Sequence, residues 1–382
     1  MMDADTMVLP RLGPAEPGVE DPWGEDRPPR RGRVAARSAS GARGWRAVPW
    51  LPPALLAGGL GGAGLGAPGP RAGELATWHA ATAGWRDALT GGEAASVPYH
   101  LLVRGSAELF GTSDVALRLP SLLAVVAAAA LVGGLATRLF APGVGVLAGL
   151  LLAVLPTTIR LAQEAQPHAV ALCAAVLATR LLLPVLDRPT ARRLAAYAGA
   201  VLLLGLCAPG ALLLLAGHGW VVLAFRRRSA GRWVAAVAPA VLLVAAALRF
   251  GGPGGGFLPA GVRPDPAALA AAPRELFGVA ALGAVLAGLA LFSLPLRYAP
   301  AICTAWAVVP ASAMLLAAWA VPVWSPAALF FTLPAWAVLG AVALSRLGAR
   351  WALVGLAAIA LLGVPARATG VPAIHLIHAL FG

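Results

Sequence analysis

Three groups of side chains in this chain have the types and places for chemistry. Glu74, Glu93 and Glu164 are carboxylates in loops between apolar stretches, where such a group can take a proton from an attacking hydroxyl. Arg71, Arg118, Arg160 and Arg249 lie at the edges of the same stretches, and a guanidinium suits phosphate recognition through paired donors. Tyr99, His100 and His168 add hydrogen-bonding rings nearby. Metal chemistry is not indicated. Cys173, Cys207 and Cys303 each fall inside an apolar stretch, and an odd number in such surroundings reads as small apolar packing rather than a disulfide framework or a zinc site. His375 and His378 have no acid beside them, so no metal and no cofactor are expected.

The elements that must position these groups are membrane spans. Of 382 residues, 59% are hydrophobic and 12% charged, about half the charge fraction of a soluble globular chain. The mean hydropathy is +0.80. From residue 48 onward, apolar stretches follow one another at about 48–67, 119–137, 143–159, 169–186, 194–208, 210–225, 233–250, 276–295, 299–321, 327–345 and 351–364. Most have the length that crosses about 30 Å of hydrocarbon as a helix. Runs this apolar satisfy their backbone only as helices, and a β-barrel would show short alternating segments instead. The expected fold class is therefore all-α, a polytopic membrane protein of about eleven helices over 48–364, with a loop at 68–118 that carries amphipathic interfacial helices. His218 falls within one of the stretches, where a histidine bonded to a neighbouring helix is expected.

Charge sorts the loops. All 29 basic residues are arginine. Lysine is missing throughout, as in a strongly biased high-GC coding sequence, so the net charge of +13 is not read as a nucleic-acid surface. With the N-terminus placed inside, Arg27 to Arg46, Arg138, Arg188, Arg192, Arg193, Arg226 to Arg228, Arg232, Arg297, Arg346 and Arg350 all fall inside, as the positive-inside rule requires. Glu74, Asp87, Glu93, Glu108, Asp114, Glu164, Asp265 and Glu275 fall outside. Residues 1–47 are acidic to Asp26 and arginine-rich afterwards, with prolines recurring up to Pro29. Such a segment buries too little surface to offset its ordering entropy and reads as a disordered cytoplasmic tail. Residues 365–382 form a short C-terminal tail.

Within the first loop, Leu75, Trp78, Thr82, Trp85 and Leu89 recur at helical spacing, which predicts a helix lying in the interface with its tryptophans at headgroup level. An ordinary interfacial anchor would show the same stripe. Further on, Gly111 is placed to end one helix, and Ser113 or Asp114 to cap the next. Arg118 then falls at the interface, before Pro120 opens the second span.

These segments resemble a known family. Val97-Pro98-Tyr99-His100-Leu101-Leu102, then Phe110-Gly111-Thr112-Ser113 running into Leu117-Arg118-Leu119-Pro120-Ser121, and then Gln163-Glu164-Ala165-Gln166-Pro167-His168 are similar in order and spacing to segments of the C-type (GT-C fold) glycosyltransferases. Those enzymes use polyprenyl-phosphate sugars and are relatives of the protein O-mannosyltransferases and of lipid A aminoarabinose transferase. The resemblance covers about residues 72–180, and Pro322-Val323-Trp324-Ser325-Pro326 resembles the family's last external loop.

The resemblance implies an inverting transfer on the outer face of the plasma membrane. A sugar would pass from a polyprenyl-phosphate donor to a cell-envelope glycan or a secreted protein, with Glu74 or Glu93 as base. Arg118, Glu164, His168, Tyr99 and His100 are its substrate-binding candidates. The chain departs from the family at several points. The family's Asp-Glu pair falls on Gly73 and Glu74, its Arg and Tyr in the third segment on Gln166 and His168, and its late Arg-Tyr pair on Ala327 and Ala328. These losses keep open a catalytically degenerate relative that binds lipid and partners another envelope enzyme. A transporter is a further alternative, although its usual midplane acids are missing from the predicted spans.

Overall fold

The computed structural model describes residues 48–66, 69, 73–82, 96–250, 261–292 and 298–364. Both expected tails, Arg71, Glu93 and the expected continuation of the interfacial helix through Trp85 and Leu89 lie outside the described residues.

The described chain is a bundle of helices: α1 (Leu51–Gly62), α2 (Leu75–Thr82), α3 (Val97–Phe110), α4 (Asp114–Leu139), α5 (Pro142–Val154), α6 (Pro156–Ala162), α7 (His168–Asp187), α8 (Ala191–Cys207), α9 (Leu214–Phe225), α10 (Ala230–Phe250), α11 (Pro266–Phe277), α12 (Ala280–Phe292), α13 (Tyr298–Ala320), α14 (Leu333–Arg346) and α15 (Ala349–Leu362). Short 3₁₀ segments precede α9 (Pro209–Leu213) and α14 (Pro326–Thr332). Every one of the eleven expected apolar stretches holds helix. By length and composition five described helices suffice to cross a membrane, or seven if α5–α6, bent by 70°, and α11–α12, bent by 87°, each count as one span. The chain is an all-α, multi-pass membrane protein.

Local signals set the helix ends. Gly111 closes α3 at φ +83°, and the Ser113 side chain caps α4 by accepting from the Ala116 amide at 3.3 Å. Pro120, expected to open the span, lies inside α4 instead. A proline there lacks the N–H that would bond the carbonyl four residues back. The freed Ala116 carbonyl accepts from the Ser106 hydroxyl of α3 at 2.6 Å, so the helix runs on unbroken and α3 is pinned to it.

In lipid, helices associate through close packing of small residues rather than through the hydrophobic effect. Between α4 and α5 that packing is tight: a Cβ on Gly149 would lie 2.5 Å from Pro53 of α1 and 2.9 Å from the Ala129 carbonyl oxygen. Of the five long apolar helices, α7 and α14 are the most enclosed and α10 the most exposed. The intramembrane histidine is accounted for in the same core. Thr179 of α7 gives its hydroxyl hydrogen to the Ala175 carbonyl (2.9 Å), so His218 Nε2 of α9 donates to Thr179 Oγ1 (3.1 Å) while Nδ1 accepts from the Tyr197 hydroxyl of α8 (2.8 Å). Three helices share one satisfied polar network, the outcome expected for His218.

The two ends of the bundle separate the charges as the loops do. At one end Arg138 meets Asp187 (3.4 Å), Arg193 donates to the Pro184 and Arg188 carbonyls (3.0 and 3.1 Å), and Arg226 donates to that of Leu186 (2.9 Å). At the other end are Glu74, Arg118 and Glu164. There, the backbones of Val262 and Trp324 pair in an antiparallel bridge with both hydrogen bonds at 3.1 Å. Two loops some sixty residues apart, each assigned outside from sequence, are thereby tied together.

Candidate functional site

The acid end is organised around a buried ion pair. Glu74 precedes α2, its carbonyl accepting from the Trp78 amide at 2.8 Å, and Arg118 lies in the second turn of α4. Arg118 Nε and Nη2 donate to the two oxygens of Glu74 at 3.0 and 2.9 Å. Both residues are almost wholly enclosed, at 3% exposure for Glu74 and 1% for Arg118. The remaining contacts make the pair a four-way junction. Arg118 also donates to the carbonyls of Leu65 (3.0 Å) and Gly69 (2.9 Å), and Glu74 Oε1 accepts from the Ala165 amide at 2.6 Å. A buried carboxylate needs this degree of compensation to stay ionised.

This placement differs from the interfacial position expected of Arg118. The side chain turns into the protein, and its donors go to Glu74 and two carbonyls rather than outward to a phosphate. A small cavity lined by Glu74, Trp78, Asp114, Leu117, Arg118 and Ala165 opens beside the pair, with room for no more than water.

A second cluster adjoins it. Tyr99 of α3 donates its hydroxyl to Ser121 Oγ (2.8 Å), which donates to the Gln166 carbonyl at 3.4 Å. Burial pushes the Tyr99 hydroxyl above its ordinary pKa, so it stays protonated and works as a hydrogen-bond donor. His100, on the same helix, is buried. Gln166 and His168 flank Pro167 in the turn that opens α7, with Gln166 Oε1 3.0 Å from His168 Nδ1. The His168 ring meets Phe330 edge-on, centroids 5.1 Å apart, and Phe330 belongs to the 3₁₀ segment that follows the last loop. Ala327 and Ala328 lie in that same segment.

Glu164 and Arg160 sit 4.0 Å apart at the margin, with Arg160 56% exposed. Of the site residues expected from sequence, Glu74, Arg118, Tyr99, Glu164 and His168 are therefore brought to one end of the bundle and to four connected segments, the start of α2, α3, α4 and the turn into α7. Ser121, Gln166 and Phe330 are the additions that sequence reasoning missed. The position of Gln166 two residues before His168 is the one signal that could have indicated its partner. Among the described residues, no group of three His, Cys, Asp or Glu side chains is placed to hold a metal ion.

A family model described as dolichyl-phosphate-mannose-protein mannosyltransferase matches residues 97–249. No curated protein matches the chain in sequence. Among solved structures, ArnT from Cupriavidus metallidurans bound to undecaprenyl phosphate superposes over 86% of this chain with a TM-score of 0.61 at 17% identity. Its apo form gives 0.59 at 18%. The chain has the GT-C fold. The Archaeoglobus fulgidus oligosaccharyltransferase matches over 84% of the chain at a TM-score of 0.52 and 18% identity. This chain spans about 65% of the length of the ArnT structures and 48% of that of the oligosaccharyltransferase.

Proposed function

We propose that the protein is a membrane glycosyltransferase that takes a sugar from a polyprenyl-phosphate donor and passes it, with inversion, to a cell-envelope or secreted acceptor. The acid end faces the outside of the plasma membrane and the N-terminus the cytoplasm. What carries this reading is the junction itself: the three segments that resemble the GT-C family in sequence, and the 3₁₀ segment that follows the fourth, meet at one end around Glu74–Arg118 and His168. The match to an undecaprenyl-phosphate-bound ArnT supports a lipid-linked donor. In the transfer the acceptor oxygen attacks the anomeric carbon as polyprenyl phosphate departs. Arg160, exposed on the same segment as Glu164, is the cation placed to meet that phosphate, since Arg118 is engaged by Glu74. The reading is tested with the purified full chain in vesicles containing undecaprenyl-phosphate-mannose and other lipid-linked sugars. Release of undecaprenyl phosphate supports it; no release from any donor refutes it.

A second reading has its own observation. Gly73, where the family has its Asp, is overlaid by the Gln166 side chain, and Glu74 beside it is held in the ion pair. A relative that binds the lipid donor and partners another envelope enzyme would show binding of undecaprenyl phosphate without turnover.

A further inference from the structure

We propose that His168 is the proton acceptor of the transfer and Gln166 the residue that positions it, an inference that rests on the glycosyltransferase reading above. Glu74 is poorly suited to accept that proton. Its two oxygens already accept from Arg118 Nε, Arg118 Nη2 and the Ala165 amide, and a carboxylate so stabilised has little affinity for a further hydrogen. His168 is differently placed. The amide oxygen of Gln166 only accepts, so the 3.0 Å contact fixes the hydrogen on His168 Nδ1. In the neutral ring the lone pair is then on Nε2, which has no hydrogen-bond partner among the described residues. Phe330, edge-on at 5.1 Å and 83°, holds the plane of the ring. A ring whose tautomer is set through Nδ1 and whose Nε2 is left open is the arrangement of a general base.

In the step, a bond forms between the acceptor oxygen and the anomeric carbon while the bond from that carbon to the phosphate oxygen breaks. The electron pair leaves with polyprenyl phosphate. The acceptor's proton goes to His168 Nε2, and the resulting imidazolium returns it to water.

The test compares variants of the full chain in vesicles with undecaprenyl-phosphate-mannose. His168→Gln is expected to lower kcat by about 100-fold or more, with KM for the donor and binding of undecaprenyl phosphate within about threefold of the parent. Gln166→Glu, which keeps an acceptor at Nδ1, is expected to retain most of the rate, and Gln166→Leu to lose about tenfold. A parent protein without turnover refutes the glycosyltransferase reading and this proposal with it. An active parent whose His168→Gln variant keeps kcat within about threefold overturns the proposal alone. If His168→Gln fails to fold, nitrogen NMR of the histidine-labelled parent decides: a hydrogen on Nδ1 of His168 is expected, and a neutral ring protonated on Nε2 overturns the assignment.

Discussion

The side-chain amide of Gln166 occupies the space above Gly73: a Cβ built on Gly73 would lie 2.6 Å from Gln166 Nε2, and the Gly73 backbone has φ +93°. Two obstacles therefore stand against a carboxylate at position 73, a left-handed backbone and a filled volume. Gly73→Asp is expected to destabilise the protein by about 1–3 kcal/mol and to confer no gain in turnover. Gly73→Asp combined with Gln166→Ala removes the clash and recovers part of that loss. Thermal unfolding in detergent reads both effects, and a Gly73→Asp single variant as stable as the parent would contradict them.

The Glu74–Arg118 pair is expected to behave as a structural junction. Removing one partner leaves the other charge buried and uncompensated, at a cost of about 3–5 kcal/mol. Glu74→Gln and Arg118→Leu should each lower yield and melting temperature strongly. Losses that fall only on turnover, with melting temperature unchanged, would instead make Glu74 a chemical participant.

At the α4–α5 contact, Gly149→Val adds a side chain where Pro53 and the Ala129 carbonyl already touch. Overpacking there is expected to cost about 1–3 kcal/mol. Gly143→Ala, at a position with open space around it, is the control and should unfold like the parent.

The separation of charges between the two ends predicts sidedness. Single cysteines replacing Arg160 and Arg227, both exposed, are introduced into a chain whose half-buried Cys173 is changed to Ala; Cys207 and Cys303 are buried. In intact cells a membrane-impermeant maleimide is expected to label position 160 and not 227. The reverse result would invert the topology.

Much of the architecture is legible from sequence because lipid imposes strong rules. Apolar length locates the helices, and the arginine distribution marks the two ends that the structure separates. Gly111 and Ser113 announce their caps by residue type alone. Three features lie beyond such rules. Pro120 sits inside α4 because a hydroxyl from another helix, that of Ser106, satisfies its orphaned carbonyl, and no local pattern encodes that partner. Arg118 reads as interfacial because hydropathy locates a residue along the membrane normal, not whether it faces in or out. Gln166 reads as a missing arginine, and only the turn through Pro167 shows that its amide reaches His168.

The Arg118 junction has a bearing on how the protein is made. Its partners come from residues 65–74, from α4 and from Ala165, so the ion pair itself needs only the chain through α4, whereas the Ala165 amide can join it only after α5–α6 has followed. Before that point Arg118 already has Glu74 and the Leu65 and Gly69 carbonyls within the chain made so far, while Glu74 Oε1 still lacks one of its donors. Arrival of Ala165 behind α6 thus completes the donors around Glu74 and ties the segment ahead of α7 to a junction formed by the chain before it.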